Sequence, residues 1–102
     1  MDELNKRIDG LSDQLVKSTQ EIVRLKSVQG EKKQNMSFGE DVARCLDRTL
    51  KLCKSMGFKT VNLDNYVGYA EYGEGDDYVG ILGHLDVVPA GDGWLYPPYE
   101  AK

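Results

Sequence analysis

The chain has one histidine, His84, and one tryptophan, Trp94, and both fall in the stretch GILGHLDVVPAGDGW, residues 80–94. A carboxylate, Asp86, follows the histidine by two positions. In an extended chain, residues two apart point to the same side. The Asp86 carboxylate can therefore accept the N–H of one imidazole nitrogen. That contact fixes the tautomer and leaves the lone pair of the other nitrogen free for a metal ion. A single histidine beside apolar sequence is more often packed or half-exposed without chemistry. Its position argues for more. His84 directly follows YVGILG, residues 78–83, a continuous apolar run with no charge. In open α/β sheets, ligands bind just beyond the carboxyl ends of strands. Gly83 removes side-chain bulk next to the imidazole, and Val87, Val88 and Pro89 can pin the following loop.

One histidine does not make a metal site. A catalytic zinc usually takes three protein ligands, and a dinuclear site takes more. Asp76 and Asp77 lie at the far end of the same run, about 20 Å away by strand rise, and read as a solvated turn. Asp64 lies in another turn. Asp92 stands between two glycines, which is turn chemistry. The sequence thus offers a first ligand and no obvious partners. Cys45 and Cys53 sit eight positions apart on one helical pattern, about 12 Å along the axis and too far for a disulfide. Their spacing matches no zinc pattern, so both are expected to be reduced and packed as small hydrophobes.

The elements that must position His84 follow from periodicity. Leu4, Ile8, Leu11, Leu15, Ile22 and Leu25 recur at spacings of three and four within residues 3–27, with Ser18 in one apolar slot. This predicts a helix covering a core. A short coiled coil competes, weakened by Gly10 and Ser18. Residues 28–37 are polar and contain glycine, hence a loop. Ser37 with Glu40 three positions on forms a capping-box signal. The next helix is predicted from about residue 38 to 56, with Val42, Leu46, Leu50 and Cys53 on its apolar face and Gly57 ending it. Then the period changes. FKTVNL alternates, DN makes a turn, YVGYAEY is a second strand, and GEGDD is a second turn. YVGILG suits a strand buried on both faces. The expected class is α/β: two helices, then a hairpin and a central strand of a mixed sheet. Pro97 and Pro98 exclude a helix interior or central strand at the chain's last segment.

Composition bounds the function. The 102 residues can bury a modest core, roughly two-thirds of the unfolded surface at most. A net charge of -4 with no basic stripe argues against nucleic acid. No apolar run approaches the roughly 18 residues needed to span a bilayer, and the charged MDELNKRIDG start has no signal core. The expected setting is cytoplasmic, without a membrane partner.

The motif GHLDVVPAGDGW closely resembles the first metal-site motif of the cocatalytic-zinc metallopeptidase superfamily of the aminoacylase, carnosinase and carboxypeptidase G type. FGEDVARCLDRTLKLCKSMGF followed by NLDNYVGYAEYGEG is similar to the bacterial dipeptidases that cleave Xaa-His and β-alanyl dipeptides. The resemblance covers about residues 12 to 100. It implies that residues 1–102 are the N-terminal portion of a metallopeptidase catalytic domain, with no second domain present. It implies that His84 binds one of two divalent metal ions, zinc or alternatively manganese. Asp86 matches the family's catalytic aspartate, which orients that histidine. Trp94 and the PPY at 97–99 match positions that shape the loop. The family's bridging aspartate, glutamate pair, further acidic ligand and distal histidine match nothing in this chain. The implied activity is hydrolysis of short dipeptides by the whole enzyme, with these residues inactive alone. Two alternatives stay open: an N-acyl amino acid deacylase or desuccinylase of the same superfamily, and a non-catalytic helical interaction module built on residues 3–27. Self-association stays open as well.

Overall fold

In the computed structural model, which describes residues 1–102, the order of elements is α1 (Asp2–Asp9), α2 (Ser12–Val23), α3 (Glu40–Ser55), β1 (Lys59–Leu63) and β2 (Val67–Glu71). The α/β class and the helices-then-hairpin order agree with the sequence reading. Two elements differ from it in detail.

The first is the N-terminal stripe, which forms two helices instead of one. Gly10, the weakest helix former after proline, ends α1, and Leu11 stands outside helical geometry before α2 resumes. Leu4, Ile8, Leu11 and Leu15 are all at least half exposed, so nothing covers the first part of the stripe. Ile22 and Leu25 are half-buried. Only the end of α2 reaches α3, where Glu21 meets Arg48 at 3.5 Å.

The second difference is YVGILG. Residues 78–83 pair with no other strand, and Tyr78, Val79, Ile81 and Leu82 are more than nine-tenths exposed. An uninterrupted apolar run records a preference for burial on both faces, but a ladder needs neighbouring backbones alongside. The sheet that forms has two strands only, β1 and β2. A radius of gyration of 16.0 Å reflects this openness, against roughly 13 Å for a compact chain of this length. Buried hydrophobic side chains are limited to Val42, Ala43 and Cys45. Unpaired edges and a contiguous apolar run promote association. The 102-residue chain is therefore expected to bind an apolar-surface dye and to self-associate as concentration rises. A sharp, cooperative melt of a dilute monomer without dye binding would contradict this.

The local rules work best around α3. Its C-terminus follows the Schellman pattern. Gly57 takes φ 97°, its N–H donates to Lys54 O at 3.0 Å, and the Phe58 N–H donates to Cys53 O at 3.2 Å. The N-terminus does not use the expected capping box. Gly39 is the cap residue, with φ 96° and no side-chain cap bond. A Cβ on Gly39 would stand 2.9 Å from Gly30 backbone atoms, so this close crossing of the 28–39 loop demands glycine. Glu40 turns instead to Lys33, whose Nζ donates at 2.7 Å. That hydrogen bond, with the lysine's charge, holds the Glu40 carboxyl below its ordinary pKa.

The hairpin pairs Lys59 with Glu71 through Leu63 with Val67, antiparallel. Its turn is the expected DN pair, with Asp64 and Asn65 both at positive φ. Asn and Asp tolerate this left-handed geometry, and Tyr66 completes a three-residue loop between the paired Leu63 and Val67. Asn65 also donates from Nδ2 to Asn35 O at 2.9 Å, and the Phe38 ring packs tilted against Tyr66, centroids 4.9 Å apart. These contacts tie the hairpin tip to the loop before α3. Gly68 lets β2 lie against α3, since a Cβ there would meet Leu50 Cδ1 at 2.8 Å and Val61 O at 3.1 Å. No helix is long and apolar enough to cross a membrane.

Candidate functional site

The segment after YVGILG is held by one short pairing. Val28 and Val87 form a parallel bridge. The Val87 N–H donates to Ser27 O at 3.0 Å, and the Ser27 hydroxyl donates to Leu85 O at 2.7 Å. Ser27 is 3 % exposed, the one buried polar side chain in the chain. Residues 83–87 run as a partition between two hollows. One, about 520 Å³, is walled by the apolar face of α3 and by β2, with His84 and Asp86 at its rim. The other, about 360 Å³, lies against the end of α2 and the 88–99 segment.

The structure brings His84 and Asp86 together. His84 Nδ1 lies 3.0 Å from the Asp86 backbone oxygen and 3.3 Å from Asp86 Oδ1. A backbone carbonyl can only accept a hydrogen bond, so the tautomer that makes this contact carries its proton on Nδ1. The Nε2 lone pair is then left free, the tautomer that a metal-binding imidazole requires. The His84 side chain is 82 % exposed and that of Asp86 63 %. Packing therefore contributes little to the ring's orientation, which rests on the two Nδ1 contacts.

The other acidic candidates stay apart from His84. Among all His, Cys, Asp and Glu side chains, no three converge as a metal-binding group. Asp64 is in the hairpin turn. Asp76 and Asp77 stay in an exposed turn. Asp92 lies between Gly91 and Gly93, both at positive φ, in a loop closed by the Trp94 indole N–H donating to Ala90 O at 2.9 Å. Trp94 thus shapes the loop, as the sequence suggested. Cys45 and Cys53 are free thiols, buried and half-buried respectively. The donors present fit one position of a metal centre, the His84 Nε2, and do not complete one.

Two anchors escaped the sequence reading. Gln20 Nε2 donates to Ala101 O at 2.9 Å and Arg24 Nε donates to Glu100 O at 3.3 Å, fastening the last residues to α2. Ser27 is the other. A serine between Lys26 and Val28 at the edge of a polar loop reads as surface. Only the fold reveals that it is enclosed.

No family model matches the chain. Among curated proteins, the chain is similar to dipeptidases along most of its length. It is 45 % identical over 92 residues to the protein named "Putative dipeptidase YtjP" of Bacillus subtilis, a match covering 88 % of this chain. It is 33 % identical over 92 residues to the "Beta-Ala-Xaa dipeptidase" of Lactobacillus delbrueckii subsp. lactis. It is also 33 % identical over 96 residues to a protein of Staphylococcus aureus named as a dipeptidase, covering 92 % of the chain. The chain spans about a fifth of the length of the curated relatives it matches.

Proposed function

We propose that these residues are part of the catalytic domain of a metal-dependent dipeptidase of the cocatalytic-zinc metallopeptidase superfamily, and that His84 is a metal ligand oriented by Asp86. The observation that carries the reading is the state of His84. Its Nδ1 is hydrogen-bonded to the Asp86 backbone oxygen with the carboxylate Oδ1 3.3 Å away, and its Nε2 has no partner, in a motif within a chain 45 % identical to a protein named as a dipeptidase. Two divalent ions, zinc or manganese, would polarise the scissile carbonyl and lower the pKa of a bound water. The part of this chain is narrower. Asp86 fixes the imidazole tautomer and direction, and His84 presents one neutral nitrogen donor. The substrate is a short dipeptide, and the working compartment is the cytoplasm.

The test uses these residues joined to the remaining length that the relatives have. With zinc or manganese, that polypeptide is expected to hydrolyse β-alanyl and Xaa-His dipeptides, and a chelator is expected to stop it. Hydrolysis of N-acetyl or N-succinyl amino acids without dipeptide cleavage would replace this reading with the deacylase one. No hydrolysis of either class would leave the helical-module reading.

The 102 residues by themselves are expected to show no dipeptide hydrolysis with any divalent metal, because a lone imidazole cannot hold a catalytic ion in place. Turnover that copurifies with the chain and disappears in His84→Ala would refute that expectation.

A further inference from the structure

We propose that Ser27 is a positioning residue for the His84–Asp86 pair, an inference that rests on the reading of His84 as a metal-binding imidazole. Ser27 reaches the pair through backbone alone. Its hydroxyl holds the carbonyl of Leu85 at 2.7 Å, and its own carbonyl holds the N–H of Val87 at 3.0 Å. These two groups flank Asp86. Fixing both sets the peptide planes on either side of that residue, and with them the direction of the Asp86 carbonyl. That carbonyl is the nearer acceptor of the His84 Nδ1–H. The imidazole has no other hydrogen-bond partner and is 82 % exposed, so its orientation is inherited from the clamp. Ser27 itself is 3 % exposed, in the segment that leaves α2 before α3 begins. It joins that segment to the one that carries the pair.

The choice of serine follows from this geometry. A parallel bridge supplies Val28 opposite Val87, and the backbone of residue 27 can only accept from Val87. The hydroxyl adds a donor for the carbonyl of Leu85, a half-buried residue. Alanine would leave the carbonyl without that partner and free the peptide before Asp86 to turn.

His84 being the sole histidine, selective ¹⁵N-histidine labelling of the 102-residue chain, kept below the concentration at which it self-associates, gives one imidazole whose two nitrogens report the tautomer directly. The measurement is made at a pH where the shifts of the two nitrogens no longer change with pH on the alkaline side. The wild-type chain is expected to show the Nδ1–H form. Ser27→Ala is expected to shift the ring to the Nε2–H form that a free imidazole favours in water, and Ser27→Thr, which keeps the hydroxyl, to restore Nδ1–H. If Ser27→Ala loses its fold by circular dichroism, Ser27→Cys decides, because it fills the same space with a far weaker donor. Loss of Nδ1–H in a folded Ser27→Cys chain supports the clamp. Retention of Nδ1–H in a folded Ser27→Ala or Ser27→Cys chain overturns it, as does a wild-type chain that lacks that tautomer. The readout needs neither metal nor substrate. Failure of the dipeptidase reading would appear separately, as absent hydrolysis with the tautomer intact.

Discussion

In a dipeptidase carrying this stretch, His84→Ala is expected to remove nearly all activity and one of the two metal ions while leaving the fold intact. The substitution deletes the Nε2 donor, the one position of the proposed centre that these residues fill. A catalytic metal contributes several kcal/mol of transition-state stabilisation, and each ~1.4 kcal/mol is tenfold in rate. The expected loss is therefore about a thousandfold or more. The His84 ring is 82 % exposed and bonds only to Asp86. Surface substitutions of that kind stay within about 0.5 kcal/mol in stability. An unchanged melting temperature of the metal-free protein would then separate a lost ligand from a lost fold, because loss of a bound ion by itself lowers that of the loaded enzyme. Elemental analysis beside the activity assay makes the test, and an alanine variant still holding both metals would show that His84 is not a ligand.

What sequence reveals here divides along the distance over which each interaction acts. The α3 apolar face, the Gly57 terminus and the DN turn depend on residues within a few positions of one another. All three form as their local chemistry predicts. The juxtaposition of His84 with Asp86 belongs to the same group, since a spacing of two suffices to bring them together. The misreadings involve longer range. The Ser37 and Glu40 capping signal is overridden because Gly30 crosses Gly39 and Lys33 captures the carboxylate. The apolar run at 78–83 specifies a preference for burial but not the strands that would provide it, and it stays unpaired. Ser27 is the extreme case. Its bond to Leu85 spans 58 positions, and no periodicity or motif marks it. The chemistry-bearing pair was legible, and the residue that holds its backbone was not.

Asp86 should behave differently from His84, and the geometry orders its variants. The imidazole Nδ1 has two oxygens of the same residue beside it, the hydrogen-bonded backbone oxygen at 3.0 Å and the carboxylate Oδ1 at 3.3 Å. Changing the side chain removes only the second. The ring keeps its nearer acceptor, and with it much of its tautomeric preference. The cost should therefore fall in the range of ~10–100-fold in metal affinity or activity typical of a lost ligand-orienting partner. Asp86→Asn retains a side-chain carbonyl at the same place and loses the negative charge. Its metal affinity should fall toward the smaller end, with metal restored at high concentration. Asp86→Ala also removes the acceptor, so its loss should be larger while remaining short of that in His84→Ala. Metal titration and kcat/KM for the three variants side by side give the comparison. Wild-type activity in Asp86→Asn would remove the carboxylate from any role in orienting His84. A loss in Asp86→Ala equal to that in His84→Ala would mean that the carboxylate, and not the backbone oxygen, holds the ring.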